Sequence, residues 1–157
     1  MLGIRSSRGT SSNITPTTGN TATSSAVAAE TECGRITLPA GALMNKSLQL
    51  TVGVSAANNL ASARTWKVKY GSTVLAQWSN AGGSSASAFH ALITDRGNNT
   101  QRGHSLGGTG STAGANSYTG AVDTSAAVDI VITVTMGAFA AGDTATLEMY
   151  TAELFAS

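Results

Sequence analysis

Charge is scarce in this sequence: nine Lys and Arg and eight Asp and Glu make up 11% of 157 residues, where ordinary domains carry roughly 25%. With a net charge of +1, the chain has no broad basic field for nucleic acid and no acidic field for cationic partners. Cys33 is the single cysteine. That excludes an intrachain disulfide and reads as a small buried apolar group. No stretch approaches the roughly 18 consecutive apolar residues of a membrane span, and the start Met1-Leu2-Gly3-Ile4-Arg5 is not followed by the apolar run of a secretory leader. Export by that route is not expected, so the Asn-x-Ser/Thr triplets at Asn13, Asn45 and Asn98 are discounted as glycosylation sites.

What fills the gap is small. Ala (26), Thr (22), Ser (19) and Gly (18) supply more than half of the chain. A surface built from hydroxyls, methyls and backbone suits packing against other protein better than floating free. The length fits one domain with a single core.

Residues 1–31 read as an arm. Up to residue 29 the only charges are Arg5 and Arg8, among Ser/Thr runs, Pro16 and the small-residue stretch Thr21 to Ala29. Such a segment buries too little apolar area to offset the entropy of ordering it. It is expected to order on a partner through Arg5, Arg8, Ile14, Pro16 and Val27, or alternatively to fold back over its own sandwich.

Residues 32–157 alternate with period two between Gly, Asn, Asp and Ser punctuation, the signature of strands. About seven or eight strands are expected among nine candidate segments: Cys33–Leu38, Ser47–Val54, Thr65–Tyr70, Thr73–Trp78, Ser85–Thr94, Thr100–Leu106, a short edge at Tyr118–Asp123, Val128–Met136 and Thr144–Leu154. Leu48, Leu50, Val52 and Val54 share one face of the second segment, and Val128 to Met136 alternates the same way, its Thr-rich side suited to a nearby protein surface. In the last, Ala145, Leu147 and Met149 oppose Thr146, Glu148 and Tyr150. Gly71-Ser72 between two alternating runs predicts a type II′ hairpin. No segment carries a helical apolar stripe. The predicted class is all-β, an antiparallel jelly-roll-like sandwich; an immunoglobulin topology lacks its Cys…Trp…Cys spacing.

Chemistry is sparse. His90 and His104 each lie seven residues from Gly97, so a hairpin centred there sets them face to face, a two-ligand metal proposal with Glu32, Asp95 or a neighbouring subunit as the third. The simpler reading is two polar residues at a rim or subunit contact. Gly108 to Ala113 fits the loose pattern G-x-G-x-x-A without the helix that gives it a function, and Gly82 to Ala86 lacks the strand-to-helix junction of a nucleophile elbow. Trp66 and Trp78 read as core packing rather than a sugar-stacking platform. Arg96 and Arg102 suit bidentate contacts across an interface, so His90, Arg96, Gln101, Arg102 and His104 are assigned to contacts between copies. No catalytic residue, cofactor or metal is assigned.

The run Arg64-Thr65-Trp66-Lys67-Val68-Lys69-Tyr70-Gly71-Ser72-Thr73-Val74-Leu75, the stretch Gly97-Asn98-Asn99-Thr100-Gln101-Arg102 and the strand Ile130-Val131-Ile132-Thr133-Val134-Thr135 resemble small virion proteins of tailed bacteriophages. The resemblance covers residues 32–156 and is one of texture and strand order. It implies a non-enzymatic jelly-roll head-decoration or cement protein, a homotrimer on the capsid exterior that binds the major capsid protein and is made in the host cytoplasm. The alternative within the virion is a tail-fibre or tail-tip adaptor or receptor-binding module, with the loops Ser79–Ser84 and Gly107–Ser117 touching the host. A carbohydrate-binding or hydrolytic sandwich using Trp66, Trp78 and a carboxylate pair is the reading from another class; neither nucleic acid nor membrane is an expected partner.

Overall fold

A computed structural model describes residues 30–57, 63–80, 85–106, 116–137 and 144–156. The expected arm, with Arg5, Arg8, Ile14, Pro16 and Val27, lies outside the described residues, as do the Gly108–Ala113 pattern and most of the Ser79–Ser84 and Gly107–Ser117 loops. Within them nine strands form: β1 (Thr31–Leu38), β2 (Lys46–Ala57), β3 (Arg64–Tyr70), β4 (Thr73–Asn80), β5 (Ser85–Asp95), β6 (Gln101–Leu106), β7 (Asn116–Gly120), β8 (Val128–Met136) and β9 (Thr144–Ala156). They pair antiparallel in a four-stranded sheet, β1-β8-β3-β4, and a five-stranded sheet, β7-β6-β5-β2-β9. The chain passes between sheets at β1–β2, β2–β3, β4–β5, β7–β8 and β8–β9. The result is the antiparallel β-sandwich that the alternation predicts.

One core lies between the sheets because each strand turns its apolar row inward. Ile130, Ile132, Val134 and Met136 of β8 and Trp66, Val68 and Tyr70 of β3 meet Leu48, Leu50 and Val52 of β2 and Phe89, Ala91 and Ile93 of β5, all essentially free of solvent. Cys33 joins this core, and burial pushes its thiol up to about 11, which makes it inert. Tyr70 pairs with Thr73 across the two-residue turn; Gly71 has φ +60° and Ser72 does not share a positive φ, as a type II′ hairpin requires.

Three local features depart from simple alternation. In β4, Val68 pairs with Ala76 but Lys69 with Val74, so Leu75 is a bulge residue and turns into the core with no exposure. Its carbonyl closes the sandwich against β6, where a Cβ on Gly103 would lie 1.8 Å from Leu75 O. In β9, Gly53 pairs with Met149 and Val54 with Leu147, leaving Glu148 as the extra residue. This bulge inverts the facing of the residues beyond it: Met149, expected inward, is 50% exposed, and Tyr150, expected outward, is half-buried against the core. Finally, the Thr-rich side of β8 is covered from within the chain, since Val131 and Thr133 are buried between the flanking rows of β1 and β3.

Candidate functional site on the outer face of the five-stranded sheet

The two outer faces of the sandwich differ in kind. On the four-stranded sheet, cross-strand register gathers Lys67 and Lys69 of β3 beside Val131 and Thr133 of β8. Glu30 reaches over them: its carboxylate accepts from Lys67 Nζ at 2.9 Å and Thr133 Oγ1 at 2.8 Å and pairs with Lys69. Partial burial raises the Glu30 pKa, but Lys69, Lys67 and Thr133 outweigh it and hold the carboxyl at about 2. Alongside, the Arg35 guanidinium grips Glu32 at 2.6 Å and also pairs with Asp129, whose other oxygen accepts from Thr37 Oγ1 at 2.6 Å. The Arg35 contact lowers Glu32; the Thr37 bond, then Arg35, lowers Asp129; both carboxylates raise Arg35. Of the protein's nine basic and eight acidic side chains, six are thus spent on each other, three of each sign. This face is neutral and internally satisfied.

The outer face of the five-stranded sheet is open and carries few charges, Arg102, Glu148 and Glu153, all outside its centre. Its rows run across the strands: Glu153, Gln49, Leu92, His104 and Ser117 in one, Thr151, Thr51 and His90 in the next. Gln49 and His104 are exposed, and Leu92 between them is half-buried. His90 Nδ1 and Thr51 Oγ1 share a hydrogen bond of 3.1 Å, which fixes the ring against the sheet. Gln49, His90, Leu92 and the backbone of Ala91 line a half-open depression of about 290 Å³. An amide, an imidazole and an aliphatic side chain can hydrogen-bond and pack against a ligand.

The residues expected at contacts between copies separate into three places. His90 and His104 do share this face, but not as a facing pair: Leu92 is opposite His104, and His90 is opposite Leu106. The turn is centred on Asn98 rather than Gly97, because Gly97, Asn98 and Asn99 all take left-handed conformations and the loop closes through Arg96 N–H to Thr100 O at 2.8 Å. Among the described residues no group of three His, Cys, Asp or Glu comes together. Arg96 is exposed in the β5–β6 turn, while Arg102 lies on the outer face beside the His104 row, where it donates to Thr119 Oγ1 at 2.7 Å.

Gln101 is elsewhere altogether. It is fully buried, its amide exchanging hydrogen bonds with Val122 N–H (2.8 Å) and Val122 C=O (2.9 Å), beside the buried Asp95, which accepts from the Asn45 N–H at 2.8 Å. It brackets the chain before β8 to the sheet and presents nothing to a partner. Trp66 and Trp78 are likewise in the core, which removes them as a sugar platform. Gln49, Thr51 and Leu92 were not singled out by the sequence, although the inward row Leu48-Leu50-Val52 already placed Gln49 and Thr51 on the opposite side.

Comparison with protein-family models and with curated proteins finds no match. Among solved structures the chain is similar to the CBM2 module of the evolved Dit of Lactobacillus casei BL23 phage J-1, at 13% identity and a TM-score of 0.38, over 77% of this chain and 66% of that one. The chain thus spans just under two thirds of the length of the structure it matches.

Proposed function

We propose that this chain is a non-enzymatic binding module of a phage particle, an adaptor or receptor-binding subunit that engages its partner with the outer face of the five-stranded sheet. The observation that carries the reading is the contrast between the two faces. One consumes its charges internally, while the other presents Gln49, His90 and Leu92 around a half-open depression, with His104 beside Leu92 on the next strand. A partly apolar surface with a polar rim and charges only toward its margins is the composition of a recognition patch. The virion setting rests on the strand texture shared with small tailed-phage proteins. Capsid decoration, the other virion role, would use a comparable surface against the capsid lattice.

Localisation on particles and one substitution test this. Gold-labelled antibody should mark the tail, and Leu92→Asp should reduce adsorption of particles, or docking of the purified protein to particles lacking it, at least about tenfold, the loss of roughly 1.4 kcal/mol or more, with the variant still folded by circular dichroism at the binding temperature. Label spread over the capsid would replace this reading with decoration. Full binding by the variant would remove the face from the interface.

A further inference from the structure

The longest strand, β9, is also the outer edge of the five-stranded sheet: it pairs with β2 on one side, and among the described residues no strand flanks the other. An edge strand presents a row of unpaired N–H and C=O groups, and proteins blunt such edges with charges, Pro or bulges. The edge strand β1 of the other sheet is guarded in this way, with Glu32, Arg35 and a bulge between Glu32 and Gly34. The bulge of β9 lies at Glu148, before this half of the strand; from Met149 to Ala156 its one charge is Glu153, it has no Lys, Arg or Pro, and its pairing with β2 is unbroken. Thr151, Ala152 and Glu153 are exposed in succession, so both sides of the ribbon are open there.

The side chains of this stretch are arranged symmetrically about Ala152. Met149 and Phe155, 50% and 42% exposed, point outward three residues to either side. Tyr150 and Leu154, half-buried, point inward two residues to either side. Two identical antiparallel strands related by a two-fold axis pair residues equidistant from that axis. An axis at Ala152 therefore sets Met149 against Phe155 of the second copy, Tyr150 against its Leu154, and Thr151 against its Glu153, each contact occurring twice. An axis at Thr151 would set Met149 against Glu153, and one at Glu153 would oppose two carboxylates. The Ala152 register alone covers apolar with apolar and gives each carboxylate a hydroxyl.

We propose that a second copy of this chain pairs antiparallel with β9 about Ala152, joining the two five-stranded sheets into one. The inference is independent of the function proposed above. A strand pair of this length buries less than the roughly 1,200 Å² of a standard interface, the size class of weak, reversible association. An isologous edge closes at two copies, in place of the threefold association implied by the resemblance.

Sedimentation velocity of the full chain over a hundredfold concentration range around the micromolar tests the inference. A monomer–dimer equilibrium is expected. Met149→Lys or Phe155→Glu alone should weaken it at least about tenfold. Combined, they oppose opposite charges in this register only, and should restore the dimer to within about threefold of the parent, a residual of about 0.7 kcal/mol. Both positions are exposed, so unchanged melting temperatures verify folding. A chain that stays monomeric because the edge is vacant or taken by its own N-terminal segment, a trimer, a dimer indifferent to the single substitutions, or a double variant no better than either single one would each overturn it.

Discussion

Trp66 and Trp78 stand directly opposite each other across the β3–β4 hairpin, each 1% exposed, and the Trp78 ring lies 4.6 Å from that of Phe89 in the facing sheet. The pair ties the sheets together at their bulkiest point, where aromatic contacts add to area burial. Both indoles should therefore emit at the short wavelengths of a dry environment and resist quenching by acrylamide. Trp78→Ala should lower the unfolding free energy by about 3–5 kcal/mol, read by urea denaturation. Quenching as ready as that of a free indole would return these rings to the surface and reopen a stacking role.

Gln101 makes a different kind of contact between distant parts of the chain. Its amide replaces the strand partner that Val122 lacks, meeting both the N–H and the C=O of that residue. Gln101→Ala leaves two backbone groups without their partner in a closed setting, at about 1–3 kcal/mol. Hydrogen exchange should locate the effect: the Val122 amide should exchange faster in the variant while amides in the centre of β8 change only as much as global stability does.

Much of this fold was legible because the alternation is strict where the core is thick. Val128–Met136 was bounded correctly to the residue, and Leu48 to Val54 assigned both faces of β2. The features that escaped depend on partners rather than on local pattern. The bulges at Leu75 and Glu148 exist because one strand holds one residue more than its neighbour across the pair, which no single segment reveals. The His90–His104 register slipped by two residues because three consecutive left-handed residues moved the turn centre to Asn98. Gln101 sits in a polar strand whose side chains look alike in sequence, yet only its side chain finds Val122. The binding face was the least visible, since its Gln, Thr and Leu are ordinary residue types whose grouping arises from register alone.

The approach of β4 to β6 allows a sharp steric test. A methyl group at Gly103 would meet the Leu75 backbone at 1.8 Å to O and 2.6 Å to C, where no side-chain rotation relieves the clash. Gly103→Ala should therefore force the sheets apart, with a loss of more than about 3 kcal/mol, beyond the usual range of overpacking. Circular dichroism melts would show it. A variant of parental stability would mean that the bulge at Leu75 shifts freely.

Glu30 links charge to stability with a definite sign. Its carboxyl is held at about 2 in the folded chain against 4.5 for the unconstrained group, so the folded state prefers the ionised form. A depressed carboxyl contributes fully above pH 4.5 and its contribution is lost as pH falls toward 2. Because the side chains of Glu30 and Lys67 are about a quarter exposed, solvent screening reduces the effect to on the order of 1 kcal/mol. Glu30→Gln should cost about that much at pH 7 and only a small part of it at about pH 2.5, measured as the difference between parent and variant in urea. Taking the difference matters, since Glu32 and Asp129 are also lowered by their Arg35 and Thr37 contacts and weaken both proteins alike in acid. A gap of equal size at both pH values would assign the role of Glu30 to packing over Thr133 rather than to its charge.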